Sequence, residues 1–314
     1  MSFAATIKDE LSKLNMIKSE NIAELSAFVR TNAKYTNDCI ELNTENNNIA
    51  KRVYSFIKDI YGVSAKIIVR QNITFNRNNT YLIEIKEKIK DILIDLSVID
   101  REGNYLDMPK DYIVDSSDEA RAYLRGIFLS KGSINDPKTS RYHLEILLDQ
   151  RYESVFVQRL LNQFALNSKI LMRDSKYMVY IKDSEKISDF LKLIQASNAV
   201  LYYENIKIMH EQKNMTNRLN NCEQANIDKV IITCNNQIND INLIDKELGM
   251  DFLDEKIKEA CIYRLKYPET SLLELSDIIS LETGNKITKS GLNHRFRKIR
   301  EIASKIEESK KGNN

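Results

Sequence analysis

The densest group of side chains able to do chemistry lies near the end of the chain. Between Lys286 and Lys305, seven basic residues (Lys286, Lys289, Arg295, Arg297, Lys298, Arg300 and Lys305) stand against one acid, Glu301, a local charge of +6. Such a patch attracts phosphate backbones through counterion release. A solvated helix face is the plain alternative for any charge run. The spacing goes further than the charge. At about 100° per residue, Leu292, Phe296, Ile299, Ala303 and Ile306 share one side of a helix starting near Thr288-Lys289-Ser290 and ending about Ile306. Ser290, Asn293, His294, Arg297, Lys298 and Glu301 point away from it. Polar groups in the first turns of such a helix can meet base edges, arginine preferring guanine and asparagine adenine. Lys289, Arg295 and Arg300 fall at the flanks, where cations suit phosphates and fix position without reading sequence.

The elements that must hold this helix are legible just upstream. Phe252 to Tyr267 carries Leu253, Ile257, Ala260, Cys261 and Leu265 on one helical face, and Pro268 ends it. Ser271-Leu-Leu-Glu274 has the form of a capping box. A short helix, SLLELSDIIS, follows, then the turn LETGNKI with Gly284. Two short helices, a glycine-bearing turn and a basic last helix predict a helix-turn-helix that binds double-stranded DNA. Its candidate contact residues are Ser271, Glu274, Thr288, Lys289, Ser290, Gly291, Asn293, His294, Arg295, Arg297, Lys298 and Arg300.

The first two-thirds repeat one pattern twice. A helix over Ile22–Ala33 leads to a strand pair ending in CIELNT, and a second helix spans Asn48–Tyr61. Two alternating strands, SAKIIVRQN and TYLIEIKE, precede a helix over Ile89–Ile99. After the cap-forming cluster Asp115-Ser116-Ser117 the order returns: a helix over Glu119–Ser133, a hairpin closing in YHLEILLD, and the helix YESVFVQRLLNQF. The strands SKILMRD and KYMVYIKD and the helix EKISDFLKLIQ complete it. Leu25 and Leu124 occupy equivalent places, 99 residues apart. The predicted class is therefore α+β: two pseudo-symmetric αββαββα halves, each with one antiparallel four-stranded sheet, followed by an all-α helix-turn-helix domain. Alternation within the strands predicts one wet face per sheet. The boundaries fall at 1–214 for the repeat domain (halves about 1–100 and 112–200), 215–249 for a connecting helical segment packed between domains, and 250–314 for the last domain.

Composition narrows the function classes. Of 314 residues, 42% are hydrophobic and 29% charged, which suits two globular domains. No apolar run approaches a membrane span, and MSFAATIKDELSKLN lacks the uninterrupted apolar core of a signal peptide. Cys39, Cys222, Cys234 and Cys261 lie far apart without CxxC spacing, and three histidines are scattered, so neither metal nor disulfide framework is expected. No Gly-rich phosphate loop or nucleophile elbow is present, and no cofactor is expected. His143 before a strand is expected to be structural. Asn217, Arg218, Asn221 and Asn226 suit hydrogen bonds that bridge domains better than phosphate contacts.

Three stretches carry a resemblance: RAYLRGIFLSKGSINDP (Arg121–Pro137) with the following YHLEI, NRLNNCEQAN (Asn217–Asn226) and TKSGLNHRFRKIREIASK (Thr288–Lys305). Through them the chain resembles the bacterial WhiA family over nearly its whole length. The resemblance implies a front domain built like LAGLIDADG homing endonucleases and a helix-turn-helix resembling part of a sigma factor. It also implies regulation of sporulation, or of cell division and chromosome segregation, by a cytoplasmic, nucleoid-associated protein. The turn LETGNKI is longer than the family's. In LAGLIDADG nucleases each motif helix carries a metal-binding carboxylate at its eighth position. Aligned on LSAFVRTNA and LRGIFLSKG, those positions here are Asn32 and Lys131. An amide is a poor substitute for an anionic ligand and an ammonium repels the metal, so catalysis is not expected. Gly126 and Gly132 suit close helix approach at the pseudo-twofold interface. Two other readings stay open: a nuclease using carboxylates elsewhere, and a scaffold whose repeat domain binds another regulatory protein.

Overall fold

Capping residues and apolar spacing set the first helices. In α1 (Phe3–Leu11) the Ser2 side chain accepts from the Ala5 amide, and Ile7 and Leu11 are buried. This helix was not among the expected elements, although Phe3, Ala4, Ile7 and Leu11 share its inward face. It is followed by α2 (Lys18–Asn32), β1 (Lys34–Tyr35), β2 (Ile40–Thr44), α3 (Asn47–Tyr61), β3 (Lys66–Gln71), β4 (Asn79–Ile85) and α4 (Ile89–Asp95). Asn46 caps α3 through its side-chain oxygen, and Gly62 closes the helix at φ +68. The second half repeats the order in α5 (Ser117–Lys131), β5 (Gly132–Ile134), β6 (Leu144–Leu148), α6 (Arg151–Gln163), β7 (Lys169–Arg173), β8 (Lys176–Ile181) and α7 (Ser184–Leu193). Ser116 and Glu119 form a full capping box at the start of α5. The long α8 (Ser197–Leu248) leads to α9 (Glu255–Lys266), α10 (Leu272–Thr283) and α11 (Lys289–Lys311).

The computed structural model describes residues 2–71, 79–139 and 141–311. Asn72, the last residue of the expected strand SAKIIVRQN, lies outside them. The chain divides into two units, Met1–His210 and Glu211–Asn314. It is an α+β protein with two αββαββα halves and a helical C-terminal unit, as the repeat pattern predicts. Strand order departs from simple sequential pairing. The sheets run β1-β2-β4-β3 and β5-β6-β8-β7, all antiparallel, so the second and fourth strands of each half are neighbours. The wet faces are not wholly polar either. Leu82 and Met178 sit at their centres, buried beside Ile68 and Leu171 on the adjoining strands.

The two halves meet along α2 and α5. A Cβ on Gly126 would lie 2.2 Å from the Glu24 carbonyl oxygen, so the backbones approach as closely as only glycine permits. Gly132 differs: its nearest neighbours belong to Phe128 of its own helix, not to α2. The Thr31 and Ser130 hydroxyls, 99 residues apart like Leu25 and Leu124, meet at 2.8 Å. Glu24 is buried in this contact. Arg52 Nε and Nη2 donate to its two oxygens at 2.5 and 3.0 Å, and Arg125 Nε donates at 2.5 Å. Arg30 Nη1 and Nη2 donate to the Ser97 and Leu106 carbonyls at 2.6 Å, tying α2 to the segment that joins the halves. Ser97, at φ +55, also ends the fourth helix earlier than the apolar pattern suggested.

The connecting segment corrects another expectation. Every residue from 211 to 229 is exposed, so this part of α8 is not packed. Its last turns contribute Ile241 and Ile244 to the core formed by Leu253, Ile257, Leu275, Ile279, Leu292, Phe296 and Ile299. That core therefore begins before residue 250.

Two substitutions test the α2–α5 contact. Gly126→Ala is expected to lower unfolding free energy by about 1–3 kcal/mol through overpacking. Glu24→Ala leaves the buried Arg52 without its anion and Arg125 with only Glu20 at 3.9 Å, and is expected to cost about 3–5 kcal/mol. Both are read by denaturant unfolding of the full chain.

Candidate nucleic-acid interface

The helix-turn-helix is assembled by caps and one short turn. Ser271 Oγ accepts from the Glu274 amide at 3.3 Å while Glu274 Oε2 accepts from the Ser271 amide at 2.9 Å. These bonds hold the Glu274 carboxyl below its usual range. Leu281 to Thr283 continue α10, and Gly284 at φ +73 closes it, so the turn is shorter than LETGNKI suggested. Ser280 Oγ accepts from the Ile287 amide at 2.9 Å and pins the turn's far end. Thr288 Oγ1 then accepts from the Gly291 amide at 3.2 Å and caps α11.

On α11 the apolar side is buried as expected: Leu292, Phe296, Ile299 and Ala303 enter the core. Lys289, Ser290, His294, Arg297 and Lys298 are exposed, with no side-chain partner among the described residues, and Asn293 is half-buried. Five expected contact residues are occupied elsewhere. Ser271, Glu274 and Thr288 serve as caps. Arg295 Nη1 donates to the Lys256 carbonyl at 2.8 Å and to Glu259 Oε2 at 2.6 Å, both on α9. Arg300 Nη1 donates to Asp240 Oδ1 of α8 at 2.5 Å. Burial raises the Asp240 carboxyl's pKa, and this arginine opposes the rise. A helical wheel places Arg295 and Arg300 at the flanks but cannot show that packed helices supply their anions.

Sequence reasoning missed Arg264. Leu265 was assigned to the core face of α9, yet it is 42% exposed and Arg264 is fully buried in its place. The spacing from Ile257 and Ala260 to position 264 was the available signal; its charge hid it. Arg264 Nη1 donates to the Thr270 and Tyr267 carbonyls at 2.6 and 3.2 Å, and the guanidinium stands 5.5 Å from the Phe296 ring centroid. Its Nε and Nη2 have no partner among the described residues. Arg264 lines a cavity of about 220 Å³ with Lys229, Thr233, Cys234, Ser271 and Lys289. The recess stands at the start of α10 and α11, and Val230, Leu272 and Leu273 complete its wall.

The other predicted positions lie in the repeat domain. Asn32 Oδ1 accepts from the Asn43 amide at 2.8 Å, and Lys131 Nζ stands 3.9 Å from Asp149 Oδ2. Neither offers a metal an anionic oxygen. Cys39, Glu41 and Glu84 do lie within 4.8 Å of one another on the first sheet. Burial first, and then the two carboxylates, raise the Cys39 thiol's pKa, while Lys86 Nζ takes Glu84 at 3.1 Å. A neutral thiol and an already paired carboxylate are weak ligands. His143 Nε2 lies 3.2 Å from Glu145, consistent with a structural role. Asn217, Arg218, Asn221 and Asn226 are exposed, and their one side-chain bond among the described residues is Asn226 Nδ2 to Cys222 Sγ.

Three family descriptions match successive parts of the chain: the WhiA N-terminal LAGLIDADG-like domain at residues 18–99, the WhiA LAGLIDADG-like domain at 120–213, and the WhiA C-terminal HTH domain at 216–303. The chain belongs to the WhiA family. A relative named probable cell division protein WhiA from Bacillus cytotoxicus is 41% identical, over 98% of this chain and 97% of its own. The Enterococcus faecalis protein of the same name is 40% identical, over 98% and 99%. The crystal structure of full-length DUF199/WhiA from Thermatoga maritima shares the fold at a TM-score of 0.58 and 22% identity, covering 97% of this chain and 99% of that one. Among the described residues of this WhiA-family chain, no helix is long and apolar enough to cross a membrane.

The Arg300–Asp240 pair separates stability from binding. Arg300→Ala strands a buried carboxylate and is expected to lower Tm by a few degrees. The salt dependence of DNA binding should stay unchanged, because this guanidinium is already committed. Calorimetry and binding titrations at several salt concentrations check both halves of the expectation.

Proposed function

We propose that this protein is a non-catalytic regulator that binds double-stranded DNA through the open face of α11 and controls transcription in cell division and chromosome segregation, or in sporulation. The observation that carries the proposal is the split character of α11, whose apolar side is buried while Lys289, Ser290, His294, Arg297 and Lys298 stand exposed and unengaged. Arg297 has the reach and the planar fork to pair with a guanine edge. Lys289 and Lys298 suit phosphates, and Asn293, half-buried, is available to the nearest base. The exposed Gly291 lets a backbone approach the start of the helix. Lys229, exposed on α8 and lining one recess with Lys289, suits a further phosphate. The name carried by the relatives, probable cell division protein, supports the process. A nucleoid-associated location and contact with another regulatory protein accord with this role.

The non-catalytic part rests on Asn32 and Lys131. Both pseudo-equivalent helix ends lack the carboxylate that a divalent metal pair needs, and one carries a positive charge. Incubation of the pure protein with supercoiled plasmid and Mg²⁺ or Mn²⁺ should leave the plasmid intact. Metal-dependent nicking that disappears on mutating a front-domain carboxylate would overturn this.

For the interface, Arg297→Ala should weaken binding to the preferred site by about 1–3 kcal/mol and relax preference at one base position. Lys229→Ala should weaken binding uniformly across sequences and lower the salt slope by about one unit. Unchanged affinity in Arg297→Ala removes that residue from the base-reading set.

A further inference from the structure

The repeat domain holds a cavity of about 920 Å³ that DNA binding by α11 does not use. Its wall is built from α1, the ends of α2 and α5, and the turn entering α3. It lies beside Asn32, at the helix end where related nucleases place a carboxylate. Half of the lining is amide and hydroxyl, including Asn32, Asn43, Thr44, Ser130 and Ser133, and most of the rest is apolar, including Phe28, Ile49 and Leu129.

Its deepest charged group is Lys8. The Lys8 Nζ makes no hydrogen bond or ion pair among the described residues, and its one recorded contact is the Phe128 ring, with the centroid 5.6 Å away. Burial lowers its pKa to about 8, and the Glu45 carboxylate at the exposed rim only partly opposes this. Lys8 is half-buried, and its ammonium gives up part of its hydration with only the Glu45 carboxylate to offset the loss. Asn32 adds directed donors. Its Oδ1 accepts from the Asn43 amide, which fixes the orientation of the side chain, and its Nδ2 has no partner among the described residues. The place suited to cations in a nuclease is here furnished with a cation and N–H donors.

We propose that this cavity binds a small phosphorylated metabolite, with its phosphate on Lys8 and Asn32 and its polar body against the amide and hydroxyl wall. A lone lysine acts as a point charge and suits a phosphate, whereas a carboxylate is better matched by an arginine fork, which the lining lacks. The volume exceeds what a bare phosphate fills and fits a sugar phosphate or mononucleotide. The proposal does not depend on DNA binding by α11.

The test uses the full chain with lysine labelled at ¹³Cε and followed by NMR, the Lys8 resonance being assigned by its loss in Lys8→Met. The probes are inorganic phosphate and ribose 5-phosphate, with ribose as the uncharged control. Millimolar ribose 5-phosphate should raise the Lys8 titration midpoint by about one pH unit, because bound phosphate favours the charged form. Ribose should have no effect, and inorganic phosphate should act more weakly. The same additions should raise the Tm of the wild type by more than that of Lys8→Met, a variant that keeps the side-chain length and sheds the half-buried charge. An unmoved Lys8 midpoint, or an equal rise in Tm in the two proteins, overturns the proposal. A shift produced by a DNA duplex and by neither phosphate probe also overturns it.

Discussion

Packing α2 against α5 carries the Glu24 carboxylate out of water together with Arg52 and Arg125. Withdrawing ions from water is expensive, and only close geometry with multiple hydrogen bonds offsets it. The approach at Gly126 provides that geometry by bringing α5 onto the backbone of α2 at Glu24. The sheets are secured from the same contact, since Ile40 and Leu42 of the first and Ile146 and Val179 of the second enter one continuous core with α2 and α5. The large cavity is set there too, bounded by Phe28 and Asn32 on one helix and by Leu129 and Ser130 on the other.

The C-terminal unit uses a different economy. Its twelve-residue helices are too short to be stable alone, so α10 is closed by Ser271 and Gly284 at its ends and the inner faces of both are shared. Buried charge is again present but is handled by other means. Arg264 is held by carbonyl oxygens and an aromatic face, and Asp240 by a single arginine from α11. The cations of α11 thereby divide into those that hold the domain together and those left to solvent.

Much of this was legible in the sequence because it depends on local periodicity. Alternation in TYLIEIKE and KYMVYIKD gave the strands, the 99-residue offset gave the duplication, and Ser271 with Glu274 gave the start of α10. What stayed hidden depends on partners distant along the chain. The pairing of β2 with β4 spans the intervening helix α3 and strand β3. Arg295 and Arg300 look like surface cations until α9 and α8 supply Glu259 and Asp240. Ser271, Glu274 and Thr288 serve as caps, and the sequence alone does not separate that use from contact with DNA, because a capping hydroxyl keeps its O–H to donate. Helix α1 was legible too, since Phe3, Ala4, Ile7 and Leu11 share one face behind the Ser2 cap.

The duplication is not symmetric where it matters most. The position equivalent to Glu24 is Tyr123, and the one equivalent to Arg125 is Ser26, whose hydroxyl donates to the Leu96 carbonyl at 2.6 Å. Two copies of the first half facing each other would bury two carboxylates, each short of one arginine. Two copies of the second would bury two arginines with no such acid between them. A gene encoding either half alone could not rebuild this interface as a homodimer, so divergence at four positions has made the fusion of the halves irreversible.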